Sequence, residues 1–451
     1  MVLAIALVLL VIGSVLFHYL SPWYFTPIAS NWGTIDDTVT LTFWVTGFVF
    51  VVVNLFMAYC VWRYRHRKGN SAHYEPESKK LEGALILATT VGVVAMLAPG
   101  LLAWAKFVDV PKDAAVFEVV ARQWNFNYRF PGADGVLGTV DARFVSDANP
   151  FGINPADPKG QDDILISSPE LHLPMGKSVK AELRSIDVLH DFTVPQFRAK
   201  MNMVPGLVTY VWFTPTRVGK FDAFCEQLCG VAHYAMRGRV VVEEEPAFRE
   251  WLGSYPTFAQ AAARAPGDAA AGQALFAVCT ACHGAQGEGN PALNAPKLAG
   301  QSDWYLRQEL QNFKSGARGT AAKDVFGKMM APMAATLADD VAIANVVAYI
   351  KTLPDSPAPH TVDTNAANGQ QLYETCAACH GADGRGAQAT HAPRLKGMSD
   401  WYMVNQLKNF QQGTRGTHPK DLYGPQMAAL AAMLTSDREI SDLVAYINTL
   451  K

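Results

Sequence analysis

Six of the seven cysteines fall into three tight groups, each with histidine close by. Two groups read alike, Cys279-Thr280-Ala281-Cys282-His283 and Cys376-Ala377-Ala378-Cys379-His380, both C-x-x-C-H. Two thiols about one helical turn apart can bond the two vinyl groups of one porphyrin, and the next residue, His, then lies under the iron. Each motif therefore predicts a covalently attached haem c. A zinc knuckle needs more Cys or His nearby, and a thioredoxin-type pair has no reason to carry His on both occasions. On the far side of such a haem a Met thioether is expected, the soft ligand that raises the potential of an electron-transfer haem. Met329, Met330 and Met333 compete for that place after the first motif, Met427 and Met433 after the second.

Internal repetition narrows the choice. Asp303-Trp304-Tyr305 recurs as Asp400-Trp401-Tyr402, Arg318-Gly319-Thr320 as Arg415-Gly416-Thr417, and Ala348-Tyr349-Ile350 as Ala445-Tyr446-Ile447, always 97 positions on. A constant offset means two copies of one domain, mainly helical by their Ala, Leu and Lys content. The same offset pairs Met330 with Met427, and pairs Met329, Met333 and Met433 with Gln426, Leu430 and Thr336. Met330 and Met427 are thus the expected ligands, the others ordinary core filler. His391 and His418 have no histidine counterpart in the first copy and are expected at the surface. Pro296 and Pro393 do recur, and resemble the proline of cytochromes c whose carbonyl accepts the proximal His N–H.

The third group is Cys225-Glu226-Gln227-Leu228-Cys229-Gly230-Val231-Ala232-His233-Tyr234-Ala235-Met236, with His190 upstream. One Cys with His and Met suggests mononuclear copper, and a second thiolate four residues away can bridge a second metal. A Cys225–Cys229 disulfide and a Cys2His2 zinc site are the plainer readings, and neither uses Met236.

With this loop the sequence resembles subunit II of haem-copper cytochrome c oxidases. Gln123-Trp124-Asn125-Phe126-Asn127-Tyr128-Arg129-Phe130 is similar to the family's aromatic run, and His190-Asp191-Phe192-Thr193-Val194-Pro195, followed by Pro205-Gly206, to its first-ligand segment. The resemblance implies a cupredoxin domain holding dinuclear copper A. His190 and His233 would be terminal imidazoles, Cys225 and Cys229 bridging thiolates, Met236 a weak axial ligand, and the Gln227 carbonyl a further ligand. Trp124 matches the tryptophan through which electrons arrive, and Glu82 a family glutamate at a proton-channel entrance. Where the family carries a metal-binding Glu, this chain has Gln227, with Glu226 displaced by one residue, which puts the family's magnesium or manganese ion in doubt. Asn202 stands where an acidic residue is common in a stretch associated with docking of soluble cytochrome c. With haems fused to the chain, that docking surface is expected to have relaxed or moved.

Several elements must position these groups. Of the 451 residues, 50% are apolar and only 17% charged, low enough to point to membrane segments. Val2 to Leu20, Val39 to Trp62 and Gly83 to Ala105 contain no Asp, Glu, Lys or Arg and are close to the ~20 residues that cross hydrocarbon. The first run lacks the positive start and small-residue cleavage site of a signal peptide, so an uncleaved anchor is expected. Arg63, Arg65, Arg67, Lys68, Lys79 and Lys80 lie between the second and third runs, whereas Ser21 to Thr38 has no Lys or Arg. That asymmetry places the N-terminus inside and everything after the third run outside, on the periplasmic face of a bacterial inner membrane. Short alternating stretches, Val116 to Val120, Ile164 to Ser167, Val179 to Leu183 and Val208 to Phe213, argue for a small β-sandwich. Trp124, Phe126, Tyr128 and Phe130 give one strand an aromatic, core-facing side. The expected domains are a three-helix anchor to residue 108, an all-β copper domain over 109–246, a linker over 247–271, one cytochrome c domain over 272–354, a linker over 355–365 and a second cytochrome c domain over 366–451.

Lys and Arg total 38 against 40 Asp and Glu, without the cationic excess that a nucleic-acid backbone requires. Together the parts imply an electron-input subunit: two haems c feed copper A, which feeds an oxygen-reducing subunit I held with other oxidase subunits in the membrane. The upstream donor would be a soluble cytochrome or a bc-type complex. A copper A nitric oxide reductase subunit would share these motifs. A stand-alone membrane-anchored carrier is a rival of another class, and a copper-delivery protein would not need two haems.

Overall fold

In this computed structural model the described residues are 1–21, 25–69, 71, 74, 76–146, 148–263 and 266–450. Parts of the Ser21–Thr38 connection, the Arg63–Lys80 loop and the Ala261–Ala271 stretch lie outside them. The three apolar runs are the helices α1 (Val2–Leu20), α2 (Gly33–Arg63) and α3 (Lys79–Val108), all long and apolar enough to cross a membrane. Almost all their large side chains are exposed, as they are when lipid is the solvent. α2 begins six residues before the apolar run and α3 four before it, because backbone hydrogen bonding continues past the hydrocarbon edge. The added turns carry Asp36 and Glu82, carboxylates that suit the positive end of a helix dipole.

The anchor is bolted to the domain above it. Arg198 grips both Asp36 carboxylate oxygens, through Nε and Nη2, at 2.6 and 2.8 Å. The Trp32 indole donates to the Trp212 carbonyl at 2.9 Å, and the Trp212 indole to the Phe107 carbonyl at the same distance. Trp32 is buried, so the helix ends meet the β-domain through packed aromatic rings rather than a loose tether.

That domain is a sandwich of strands β1 (Ala115–Arg122), β2 (Asn125–Phe130), β3 (Ile164–Ile166), β4 (Glu170–Pro174), β5 (Val179–Ser185), β6 (His190–Val194), β7 (Ala199–Met203), β8 (Thr209–Phe213), β9 (Gly219–Phe224) and β10 (Arg237–Glu243). One sheet runs β3-β2-β1-β5-β8, the other β4-β10-β9-β6-β7, with β1–β5 and β4–β10 parallel. Phe117, Tyr128, Phe192, Phe197 and Phe213 fill the space between the sheets. The aromatic side of β2 faces this core as expected, but its polar side is buried too. There Arg129 donates to Glu118 and Asp163, each at 2.7 Å, so the charge is matched on both flanks.

The expected linker 247–271 is mostly structured. Helices α4 (Glu245–Gly253) and α5 (Phe258–Ala262) pack on the sandwich, Trp251 stacking on His172 at 4.3 Å and Phe258 joining a small core with Val120, Phe151 and Ile153. Aromatic side chains in a stretch read from its Ala, Pro and Gly content are what tie it down.

Two helical modules follow. The first holds α6 (Ala269–Phe276), α7 (Thr280–His283), α8 (Asp303–Ser315), α9 (Val325–Ala335) and α10 (Asp340–Ile350). The second holds α11 (Ala366–His380), α12 (Asp400–Gln411), α13 (Gly424–Ala431) and α14 (Asp437–Ile447). In each, the N-terminal helix crosses the C-terminal one at a glycine. A Cβ at Gly272 would lie 1.9 Å from the Asn345 carbonyl oxygen, and one at Gly369 1.9 Å from that of Asp442, so no larger residue permits the crossing.

Candidate metal centre and paired cofactor pockets

The loop between β9 and β10 brings five donors from its own twelve residues up to His190 at the start of β6. Cys225 and Cys229 are free thiols with their sulfurs 3.7 Å apart, so the disulfide reading is not realised. The Cys225 Sγ lies 3.9 Å from His190 Nδ1 and 3.2 Å from the Gln227 carbonyl. Cys229 Sγ lies 3.5 Å from His233 Nδ1 and 3.9 Å from Met236 Sδ. Each imidazole thus faces its own sulfur, and the donor atoms of His190, Cys225 and Cys229 fall within 4.8 Å of one another. Six donors arranged about a sulfur pair exceed the four of a structural zinc site and suit two soft metal ions.

The surroundings favour a charged sulfur. The hydrogen bond from Cys229, against the cost of burial and with help from His190, pulls the Cys225 thiol down to about 3. The same bond and burial push Cys229 upward, so this pair shares one proton. Burial alone would lower His190, but Asp187, 2.9 Å from Nε2, and Cys225 raise it to about 9. Gly230 has φ +118, and a Cβ there would meet Gln123 Nε2 at 2.8 Å and the Trp124 ring at 3.0 Å. That close approach lets Trp124 Nε1 and Gln123 Nε2 both donate to the Cys229 carbonyl, at 3.1 and 2.7 Å. The Gln227 side chain turns away to donate to Asn202 at 3.2 Å, and Glu226 pairs with Lys200 at 2.7 Å. Glu82 is exposed in the first turn of α3, far in the chain from these groups.

The helical modules share one cavity of about 880 Å³, lined by Cys279, Cys282, His283, Cys376, Cys379 and His380. His283 Nδ1 donates to the Pro296 carbonyl and His380 Nδ1 to that of Pro393, both at 2.8 Å. The bond fixes each ring as the tautomer whose Nε2 is free to bind a metal. Met330 and Met427 line the cavity, as do Met329 and Met333, whereas Met433 lies against the Tyr234 hydroxyl at 3.5 Å. The buried Nε atoms of Arg318 and Arg415, also on the cavity wall, have no hydrogen-bond partner among the described residues. Porphyrin carboxylates would satisfy them, so the pockets fit haem in apolar lining, paired thiols and unpartnered guanidinium Nε donors alike.

The modules meet about a pseudo-two-fold axis. Asn405 donates to Asn294 at 3.1 Å, and their counterparts Gln308 and His391 meet at 3.4 Å. Lys297 donates to the Gly397 carbonyl and Arg394 to that of Gly300, and both pair with Asp355 between the modules. Contacts repeated in exchange are the mark of an isologous interface. On the axis Arg318 pairs with Glu309, Arg415 reaches Glu309 at 3.1 Å and Gln406 at 2.8 Å, and Glu309 breaks the symmetry as the only carboxylate of the cluster among the described residues. Sequence reading passed over it, although the offset of 97 sets Glu309 against Gln406. His391, expected at the surface, is instead sandwiched, stacked on Tyr423 at 3.6 Å with the Trp304 edge 6.0 Å away.

The second module touches the sandwich through its cavity mouth. Gln426 donates to the Trp124 carbonyl at 2.8 Å, Tyr423 to that of Ser167 at 2.9 Å, and Asn125 to that of Ala389 at 3.0 Å. Trp124 therefore forms part of the cavity wall while its indole bonds the Cys225–Met236 loop.

Comparison with known proteins agrees with this division. The model for "Cytochrome C oxidase subunit II, periplasmic domain" matches residues 115–244, and that for "Cytochrome c" matches 269–354 and again 366–451. The chain belongs to the cytochrome c oxidase subunit II family and carries two cytochrome c domains beyond it. Alternative cytochrome c oxidase subunit 2 of Bradyrhizobium diazoefficiens is 58% identical over 259 residues, 57% of this chain and 94% of that protein. Cytochrome c4 of Pseudomonas aeruginosa is 36% identical over 198 residues, 42% of this chain and 91% of its own length. The crystal structure of reduced recombinant cytochrome c4 from Pseudomonas stutzeri is 31% identical, covers 41% of this chain and 100% of that one, and aligns with a TM-score of 0.33.

Proposed function

We propose that the chain is the electron-input subunit of a respiratory haem-copper terminal oxidase, with two c-type haems, dinuclear copper A and a catalytic partner in the membrane that reduces oxygen to water. The observation that carries this reading is Trp124, which bonds the second helical module on one side and Cys229 on the other. When bound, the haems and the copper pair supply one-electron redox chemistry at successive places along the chain. The protein's share is to hold them in line. His283 and His380, each with Nε2 left free, together with Met330 and Met427 would hold the two haems, and Arg318 and Arg415 would meet their carboxylates. His190, Cys225, Gln227, Cys229, His233 and Met236 would hold the copper pair.

Fixing donor and acceptor in one chain replaces diffusional encounter with a high effective concentration. The basic Arg63–Lys80 loop supports a cytoplasmic position for that connection and a periplasmic one for the redox domains. Glu82, at the inner end of α3, is suited to a proton-channel mouth in the partner. Gln227, bonded to Asn202, offers no carboxylate to a further divalent ion. The test is to purify the chain with its native partners, type the haems, count copper, and compare oxygen and nitric oxide consumption. Two haems c, two coppers and oxygen uptake are expected. Nitric oxide turnover without oxygen uptake would move the chain to a nitric oxide reductase, and a chain isolated with no catalytic subunit would make it a stand-alone carrier.

A further inference from the structure

We propose that a small soluble electron-transfer protein with an acidic rim docks on the open face of the first helical module, at Ala292, Phe326, Met329 and Pro332. The proposal rests on the electron-input reading and adds to it the surface and the kind of donor.

Shifted by 97, these four residues become Ala389, Tyr423, Gln426 and Ala429, the surface by which the second module sits on the sandwich. Ala389 and Gln426 exchange hydrogen bonds with Asn125 and Trp124, Tyr423 bonds Ser167, and Ala429 packs against the sandwich core. In the second module all four are half-buried, whereas in the first they are exposed, Phe326 by 49% and Met329 by 57%. The pseudo-two-fold axis thus turns one copy of a proven docking face onto the sandwich and leaves the other copy open.

The differences between the copies fit a transient partner. Tyr423 and Gln426 each donate a side-chain hydrogen bond across the fixed interface. Phe326 and Met329 keep comparable shape without those donors, and a flexible thioether adapts to a surface that comes and goes. Lys328 replaces Pro425 beside the patch, and Lys323 lies two residues before the same helix. Both lysines are exposed and form no ion pair among the described residues. Lys328 Nζ donates to the Ala322 carbonyl at 2.9 Å, which leaves its charge uncompensated, and an apolar centre with such a cationic rim selects an acidic-rimmed partner and speeds its arrival.

The test titrates the full oxidase complex in detergent with an oxidised acidic cytochrome c, reading affinity by thermophoresis and contact by carbodiimide cross-linking with mass spectrometry. Cross-links at Lys323 or Lys328 are expected. Binding should weaken about tenfold in Lys323→Glu/Lys328→Glu and in Pro332→Glu, fall with added salt, and stay unchanged in Arg385→Glu, a charge change on the second module. Unchanged affinity in both face variants, cross-links only elsewhere, or tighter binding of a basic cytochrome c would overturn the proposal. Should the variants fail to fold, an affinity of the unaltered complex that does not fall with salt overturns it alone. Sedimentation that shows self-association lost in the face variants, with donor binding intact, assigns the face to a second copy and also overturns it. Oxygen uptake driven by ascorbate and a small mediator bypasses the donor. Its absence in the unaltered complex counts against the electron-input reading, whereas its retention with unaffected binding in the variants counts against the docking site alone.

Discussion

Trp124 Nε1 donates to the carbonyl oxygen of Cys229 over 3.1 Å, while the carbonyl of Trp124 itself accepts from Gln426 at 2.8 Å. One residue is therefore hydrogen-bonded both to the Cys225–Met236 loop and to the second helical module. Trp124→Phe keeps an aromatic side chain but removes the donor and some buried volume. Gln123 still serves the Cys229 carbonyl, so stability should fall by roughly 1–3 kcal/mol, mostly from the cavity. Electron transfer from the second module's haem to copper, followed by stopped-flow absorbance at the copper band, should slow by about tenfold.

The fixed interface should be separable from the fold. Tyr423→Phe with Gln426→Met gives the second module the residues of the first at these places and removes two hydrogen bonds of about 1 kcal/mol each. Hydrogen exchange at Asn125 and Ser167 should quicken while the core of each module stays protected.

Gly230→Ala tests the close approach of Trp124 to the ligand loop. A Cβ there collides with Gln123 and Trp124 at a φ of +118, a strain of roughly 1–3 kcal/mol. Copper content after purification should drop below two per chain, with both haems still attached.

Burial holds the pKa of His391 down to about 4, below the ordinary 6.5. The unfolded chain takes up a proton as pH falls through 6.5 and the folded chain only near 4, so the contribution is intact above 6.5 and lost as pH falls from there to 4. The loss should be roughly 2 kcal/mol, read as a lower melting temperature of the helical modules at pH 5 than at pH 7. His391→Asn should flatten that difference. Its counterpart Asn294 already holds the same φ of +52, so the backbone accepts the change.

Glu309 is held well below the usual carboxylate range; burial opposes this, and the Arg318 and Arg415 charges overcome it. Glu309→Gln leaves two buried guanidinium groups short of a counter-charge, at a cost of roughly 3 kcal/mol. The melting temperature should fall, and both haem potentials should rise in a redox titration because a nearby negative charge is lost.

What the sequence revealed was whatever is written locally. C-x-x-C-H needs one helical turn and the Cys225–Met236 loop twelve residues, so their chemistry survives without knowledge of the fold. Strand alternation found β1, β3, β5 and β8 for the same reason. The burial of β2's polar side was not legible because its partners are remote: Asp163 lies 34 positions from Arg129, and Ala389 lies 264 from Asn125. Trp251 and Phe258 showed that a stretch read as linker from its composition can be tied down by single aromatic side chains. His391 went to the surface in that reading because nothing in one copy announces the other copy's tryptophan. The offset of 97 did hold the interface between the modules in cipher. Gly272 with Gly369, and Glu309 set against Gln406, were visible as a match and a mismatch, but their meaning needed the crossing helices and the axis.

The back-to-back pairing of the helical modules has a consequence for traffic. A carrier with one open edge must release its supplier before it can meet its customer, and so is bound to shuttle. Two such carriers joined at their backs present that edge in two directions, and the pair can hold supplier and customer at once. Duplication here turned a ferry into a bridge.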